Sequence, residues 1–205
     1  MVEAQVRVAV IGNGPSAKGL GGEIDLCDFV VRCGQWTAAF PKRSAGTKLS
    51  AWAWPGYSKM NRYLPKGKGW QMWITCPWTW HKGKERLRNV TAVSNRRRLH
   101  VLAISLPQYM AARKYLNRLI PSRTELPPTT GLLAIHMALG LKPAEMLIAG
   151  FDARSPGSPG FRYADGRKLR SGPHHMATEK ILLQELFEGS WLGNDSDVLV
   201  DWRQL

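Results

Sequence analysis

Three short constellations in this chain carry residue types suited to chemistry. The first is Val6-Arg7-Val8-Ala9-Val10-Ile11-Gly12-Asn13-Gly14-Pro15-Ser16-Ala17. An apolar, β-branched run reads as a buried strand, and it ends in a turn of Gly, Asn, Pro and Ser. Glycines there let the backbone approach a ligand closely, and free N–H groups cradle a phosphate. The same residues fit the dinucleotide pattern G-x-G-x-x-A, and they also fit a plain tight turn after a core strand. The second is Pro128-Thr129-Thr130-Gly131 ahead of an apolar run. Hydroxyls and unpaired amides at a helix N-terminus suit an anion, while the competing reading is a simple N-cap by Thr129 or Thr130. The third is Pro173-His174-His175-Met176-Ala177-Thr178-Glu179. A His at a helix N-terminus has its charged form disfavoured by the dipole, so it stays neutral, as a general base must be. His175 and Glu179 share one helical face and would give a metal two ligands, with no third in view. An ordinary cap or surface feature competes here too.

The elements that must position these residues alternate. Strands are expected at about 6–11, 28–33, 47–54, 70–75, 99–105, 145–151 and 197–202, and a short helix or turn at 18–24. A helix opened by Pro107 runs to Ile120, with Tyr109, Met110, Arg113, Leu116 and Ile120 at helical spacing. Leu132 to Leu141 is apolar nearly all round and therefore buried, and a last helix covers His174 to Phe187. Such alternation predicts one α/β, Rossmann-like nucleotide-binding domain over residues 1–205 with a mostly parallel sheet. Its ligand is expected at the carboxyl ends of the strands. Residues 153–173, rich in Gly, Pro, Ser and Arg, are too long for an ordinary connection and read as a mobile lid loop.

Charge bounds the partners. The 205 residues hold 29 Lys and Arg against 15 Asp and Glu, a net charge of +14. That predicts attraction to polyanions: a nucleotide, an acidic glycan, an anionic membrane face or nucleic acid. A solvated basic surface is the bland counterpart. The middle, Trp52 to Arg98, interleaves Trp52, Trp54, Trp70, Trp73, Trp78 and Trp80 with many cations. It reads as a sugar or nucleic-acid platform with about half of these Trp in the core. Cys27, Cys33 and Cys76 have no metal spacing and read as free thiols in a reducing compartment. Met1 lies too close to the first strand for a signal peptide, and no apolar run has membrane-spanning length. The expected location is the cytoplasm, with charge holding the protein peripherally at the inner face of a membrane.

Taken together, the motifs resemble the sialyltransferases, glycosyltransferase families 29 and 42. Val8-Ala9-Val10-Ile11-Gly12-Asn13, Lys18-Gly19-Leu20-Gly21-Gly22-Glu23-Ile24-Asp25 and Asp28-Phe29-Val30-Val31-Arg32 look like the large sialylmotif of family 29. Gly12-Asn13-Gly14-Pro15-Ser16 and Arg32-Cys33-Gly34-Gln35 look like the corresponding family 42 segments. Gly46-Thr47-Lys48 is similar to a short turn of family 29. Pro128 through Ala134 and on to Gly150-Phe151 looks like the small sialylmotif. His174 and Glu179 are similar to the very small one, and Tyr163 with Asp165 stand loosely for the third.

The resemblance implies a metal-independent, inverting glycosyltransferase without a cofactor, using a CMP-activated acidic 2-keto sugar of the sialic acid or Kdo type as donor. A glycan or glycolipid is the implied acceptor. By this match Gly12, Asn13 and Ser16 lie at the CMP, with Gly14 and Arg32 in the same nucleotide-binding set. Thr129, Thr130 and Gly131 complete that site, Tyr163 touches the donor phosphate, and His174 takes the proton from the acceptor hydroxyl. The chain departs from the family at Gly34, where an Asn is usual, and Cys33 has no cysteine partner in the small motif. Two rivals stand beside this reading. An NADP-dependent oxidoreductase draws on G-x-G-x-x-A, with Arg32 meeting a 2′-phosphate. A basic nucleic-acid-binding protein draws on charge and Trp, without a helix-turn-helix, zinc or RNA-recognition signature. A metal-dependent transferase built on Asp195-Ser196-Asp197 ranks below both.

Overall fold

The computed structural model of the chain describes residues 6–36, 44–76, 82–118, 127–152, 176–188 and 199–202. Seven strands form one sheet: β1 (Arg7–Ile11), β2 (Phe29–Cys33), β3 (Ala51–Trp54), β4 (Gln71–Ile74), β5 (Val101–Ala103), β6 (Glu145–Ala149) and β7 (Leu199–Trp202). Every pairing is parallel, in the order β5-β4-β3-β2-β1-β6-β7. The helices are α1 (Gly21–Leu26), α2 (Gly83–Arg97), α3 (Leu106–Asn117), α4 (Thr130–Leu139) and α5 (Met176–Phe187), with 3-10 turns at Pro15–Ala17 and Ser58–Tyr63.

A parallel sheet is covered on both faces, so its strands carry apolar side chains in both directions. Val8, Val10, Val31, Ala51, Ala53, Trp73, Met146 and Ile148 face the cluster that holds α3 and α4 through Tyr109, Ala112, Leu116, Leu132 and Ile135. The alternate residues Ala9, Ile11, Val30, Leu147 and Ala149 pack on Ile24 of α1. Trp52, Trp54, Met72 and Ile74 pack on Val90 and Val93 of α2. In β3 the period of two is plain: Ala51 and Ala53 meet one layer, Trp52 and Trp54 the other. The helix α4 is buried along most of its length, which is why it lacks a polar face.

Several expectations change. Trp52, Trp54 and Trp73 are fully buried and Trp70 nearly so. Trp52 stacks on Trp54 at 4.6 Å and meets Trp70 edge-on at 6.1 Å. The described Trp residues of the middle are therefore core and form no ligand platform; Trp78 and Trp80 lie outside the described residues. The expected strand at 47–54 shortens to four residues, because the amides of Thr47 and Lys48 are taken by the Asp25 carboxylate and cannot join a ladder. A helix not expected from the sequence pattern covers Gly83–Arg97. The basic cluster Arg96-Arg97-Arg98 is the last turn and C-cap of α2, where cations complement the helix dipole. The expected helix after Ser105 begins one residue earlier than Pro107, since Ser105 and Gln108 form a reciprocal capping box.

Among the described residues no helix is long and apolar enough to cross a membrane. Cys27, Cys33 and Cys76 are buried and unbonded to one another. Burial pushes each thiol up, that of Cys33 to about 12. The 153–173 segment read as a lid lies outside the described residues, as does Asp195-Ser196-Asp197.

Candidate active site

The chain runs outward from β1 through β2, β3 and β4 to β5, then returns to place β6 on the other side of β1. Such a reversal opens a crevice at the carboxyl ends of the two strands, where open α/β sheets take their ligands. At this switch point the loops after β1 and β6 meet. Gly12 N donates to Ala149 O and Gly14 N to Gly150 O, both at 2.8 Å. The approach is so close that a Cβ on Gly12 would stand 2.2 Å from Gly150 O, and Gly150 itself is left-handed at φ 78°. The glycines of the first motif thus serve backbone-on-backbone packing as well as openness to a ligand.

Ser16 clasps the two loops. Its Oγ accepts from Gly150 N at 2.9 Å, and its own amide donates to Asp152 Oδ2 at 2.9 Å. The Asp152 carboxylate lies over Gly14, where a Cβ would be 2.1 Å from Oδ2. Two acceptors are left over at this point: Asn13 Oδ1 and Asp152 Oδ1 are buried and have no hydrogen-bond partner among the described residues. Unmatched buried acceptors are costly, and a ligand bearing N–H or O–H donors would satisfy them. Asp152 was missed in the sequence, because a lone Asp at the head of a Gly- and Pro-rich stretch has no distinguishing spacing.

Gly34 closes the neighbouring corner at the end of β2. It is left-handed at φ 53°, and a Cβ there would lie 3.6 Å from Asn13 Nδ2. Its carbonyl accepts from Trp52 Nε1 at 2.8 Å. Asn is the residue besides Gly that best tolerates this backbone, so the departure at Gly34 keeps the conformation and removes only an amide beside Asn13.

The second motif joins the first through Phe151. Its ring lies 3.4 Å from a Cβ on Gly12 and 2.3 Å from one on Gly131, so Gly131 is small because an aromatic ring occupies the space. Thr129 caps α4, its Oγ1 accepting from Leu132 N at 3.2 Å. The remaining polar groups of Thr129 go to Glu179: the amide donates to Oε1 at 2.7 Å and the hydroxyl to Oε2 at 2.6 Å. Glu179 is buried, and that burial pushes its carboxyl up to about 7 against the opposing pull of the two Thr129 bonds. Thr129 therefore builds the helix head, and the amides of Thr130 and Gly131 are those the first turn leaves without intrahelical partners. With both Glu179 oxygens engaged, the His175–Glu179 metal reading loses its second ligand. No group of three His, Cys, Asp or Glu that would hold a metal occurs among the described residues.

Arg32 is placed apart from these residues. It is fully buried, its Nε donating to Lys48 O at 2.8 Å, its guanidinium 3.7 Å from Asp25 and 4.6 Å over Trp36. Burial lowers its pKa to about 10, with Asp25 pulling the other way. Asp25 also takes the amides of Thr47 and Lys48 and the Thr47 hydroxyl. The Gly46-Thr47-Lys48 turn is thus one side of a clamp with Asp25 and Arg32. An Arg held this way is not presented to a 2′-phosphate, which removes one of the two supports of the oxidoreductase reading. His174 and Tyr163 lie outside the described residues.

A parallel, Rossmann-like sheet with a crevice at the β1/β6 switch point defines a nucleotide-binding type of α/β fold. Comparison with solved structures narrows it to the fold of the sialyltransferases. A mammalian sialyltransferase in complex with Gal-beta-1-3GalNAc-ortho-nitrophenol matches with a TM-score of 0.62 at 19% identity, over 96% of this chain and 69% of that one. The monofunctional alpha-2,3-sialyltransferase Cst-I from Campylobacter jejuni matches at 0.61 and 15%, over 98% and 77%. A variant of the sialyltransferase CST-II in complex with CMP matches at 0.60 and 16%, over 97% and 81%. No protein-family model matches the chain, and no curated protein does.

Proposed function

We propose that this chain is a glycosyltransferase that moves an acidic 2-keto sugar, of the sialic acid or Kdo type, from its CMP ester to a glycan hydroxyl. The observation that carries the reading is the switch-point crevice. Gly12-Asn13-Gly14 is packed there on Gly150-Phe151-Asp152, with two unmatched buried acceptors, in a fold shared with proteins solved with CMP and with a disaccharide. The cytidine amine and the ribose hydroxyls are donors of the kind that Asn13 Oδ1 and Asp152 Oδ1 lack. The amides of Thr130 and Gly131 at the head of α4 suit a phosphate, and a net charge of +14 suits a donor that carries both a phosphate and a carboxylate.

In the proposed reaction His174 takes the proton of an acceptor hydroxyl. The oxygen attacks the anomeric carbon from the face opposite the phosphate, and the carbon–phosphate-oxygen bond breaks to release CMP with inversion. Tyr163 hydrogen-bonds the departing phosphate and stabilises its charge. No step draws on a metal or a cofactor. A glycan or glycolipid is the acceptor, and the protein works at the inner face of a membrane.

Calorimetric titration with CMP, UMP, AMP and NADP tests the nucleotide half of the proposal. CMP should bind tightest, because UMP lacks the exocyclic amine. Equal affinity for all four would overturn it. Transfer from CMP-sialic acid and CMP-Kdo to lactose-type acceptors, followed by mass, then identifies the sugar.

A further inference from the structure

The charges of this chain are unevenly spread. Residues 29–124, which hold β2 to β5, carry 19 Lys and Arg and one acid, Glu85. The other residues, which hold β1, β6 and β7, carry 10 Lys and Arg and 14 Asp and Glu. By its strand order the sheet therefore has one strongly basic end and one slightly acidic end. Segregation of this kind gives the field a direction, and it points to a polyanion met on one side of the molecule.

Part of that basic end borders the crevice. A Cβ on Gly34 would lie 3.6 Å from Asn13 Nδ2 and 3.8 Å from Met60 Cε, so the 3-10 turn Ser58–Tyr63 stands across Gly34 from Asn13. The head of α2 is drawn to the same rim. Arg86 in its first turn donates to Cys76 Sγ, just past the end of β4, and its guanidinium lies 5.4 Å from the Tyr57 ring. Lys59 Nζ lies 5.6 Å from that ring. Lys59, Lys82 and Lys84 are exposed, and none of them is in an ion pair among the described residues. Lys66 and Lys68 are exposed too, but they precede β4 and so lie at the opposite, amino edge of the sheet.

Two classes of polyanion lack what they need at this rim. A bilayer takes up apolar side chains beside the cations, and between residues 29 and 86 no large apolar side chain is exposed among the described residues. Single-stranded nucleic acid stacks its bases on exposed aromatics, whereas Trp52, Trp54, Trp70 and Trp73 are buried. An acidic oligosaccharide asks only for spaced cations on a hydrophilic rim. We infer that the acceptor is itself an acidic glycan, whose carboxylates or phosphates lie along Lys59, Lys82 and Lys84 while its reacting hydroxyl enters the crevice. The inference rests on the transferase reading and adds to it the charge class of the acceptor. β4 is three strand spacings, or about 14 Å, from β1, so the charge that is recognised sits beyond the sugar that is modified.

The test is calorimetric titration of the full chain with an oligogalacturonate, with a neutral maltooligosaccharide of equal length and, separately, with CMP. Salt is held at about 0.15 M, where charges are screened over about 8 Å and only local cations count. The oligogalacturonate should bind roughly tenfold tighter than the neutral chain or better. Lys59→Gln with Lys84→Gln should weaken it roughly tenfold. Lys66→Gln with Lys68→Gln removes the same charge at the other edge and should leave it unchanged. All four side chains are exposed, so circular dichroism should report native folding in both double variants. Equal affinity for the two oligosaccharides, or equal loss in the two variants, would overturn the inference, while a preference for CMP kept the transferase reading standing. Absence of a CMP preference would overturn that reading and the acceptor role with it. A mixed oligonucleotide or a phosphatidylglycerol vesicle that binds tighter than the oligogalacturonate through Lys59 and Lys84 would overturn the inference in favour of that partner.

Discussion

Glu179 holds Thr129 by two bonds at once, its Oε1 taking the Thr129 amide at 2.7 Å and its Oε2 the Thr129 hydroxyl at 2.6 Å. The two residues are fifty apart in the chain, and the contact ties the first turn of α5 to the head of α4. Because Thr129 Oγ1 also caps Leu132 N, the carboxyl completes an N-terminus whose first turn leaves the Thr130 and Gly131 amides without intrahelical partners. Glu179 is the last residue of the His174-to-Glu179 motif, so the helix that follows the proposed base in sequence is fastened to the helix whose head is the proposed phosphate site.

The burial of that carboxyl gives the fold a pH dependence of definite sign. Burial raises the Glu179 carboxyl from 4.5 to about 7 in the folded chain. Between those values the folded state binds a proton that the unfolded state has released, so stability falls as pH rises from 4.5 to about 7 and is flat above. A shift of that size corresponds to something on the order of 3 kcal/mol. Glu179→Gln keeps an acceptor for the Thr129 amide and removes the titration. Urea melts from pH 4.5 to 8 should show the slope in the original protein and a flatter profile in Glu179→Gln. Parallel profiles would show that Glu179 is ionised throughout.

The packing of Phe151 between two glycines makes a second test. A Cβ on Gly131 would meet the ring at 2.3 Å, and overpacking of this kind costs about 1–3 kcal/mol. Gly131→Ala should lower the thermal midpoint and weaken CMP binding, since the helix head must move away from the loop after β1. Phe151→Leu should recover a large part of both losses in the double variant. Simple additivity of the two substitutions would mean that the ring and the glycine do not share this space.

Much of this architecture is legible from the residues, and the parts that are not have identifiable causes. β1, β4 and β6 are apolar runs after a polar first residue, β2 is broken only by Arg32, and a parallel sheet buried on both faces demands that pattern. The helix α2 escapes notice because its inward residues Arg86, Val90 and Val93 are too few among charged neighbours to show a period. Its burial is decided by the Trp layer that it covers. Those Trp residues look like a ligand platform because interleaved cations suggest one. The period of two in Ala51-Trp52-Ala53-Trp54 shows instead that Trp52 and Trp54 point to one inner layer, where Trp70 joins them, while Trp73 faces the other. Asp25, Arg32 and Thr47 belong to motifs that resemble a nucleotide-binding family, yet their side chains hold one another beneath the sheet. A motif marks where residues are constrained and does not say by what. Asp152 carries no pattern at all and emerges only when the loops after β1 and β6 are brought together.

Asn13 is the residue whose removal tests the crevice most directly. Its Oδ1 is buried without a hydrogen-bond partner among the described residues. Asn13→Ala should leave thermal stability close to that of the original and weaken CMP binding by about 1–3 kcal/mol, the cost of one hydrogen bond left unmade on the ligand. A loss of stability with unchanged CMP affinity would place Asn13 in the loop packing and out of the nucleotide site.

Gly34 separates backbone from side chain. At φ 53° it occupies a region that Asn enters at little cost and most residues do not. Gly34→Asn should fold normally and set a second amide beside Asn13, whereas Gly34→Val should destabilise by about 1–2 kcal/mol through backbone strain alone. If Gly34→Asn changes affinity for a CMP-sugar and leaves that for CMP untouched, the corner beside Asn13 faces the sugar. A change in both would place it against the nucleotide.

The catalytic step rests on the choice between His174 and His175. They are adjacent in the sequence, just ahead of α5. The spacing to Glu179 favours His174 by resemblance. His174→Ala should leave CMP binding nearly intact and reduce turnover about 10²–10⁴-fold, the range for a lost general base. The rate of the original protein should rise with pH as the imidazole deprotonates, and that limb should vanish in the residual activity of His174→Ala. His175→Ala should be milder, with the limb retained. If His175→Ala is the inactive variant and His174→Ala still turns over, the base is one residue further on. If both variants keep full activity, the residues before α5 serve only as its cap and the proton leaves the acceptor by another group.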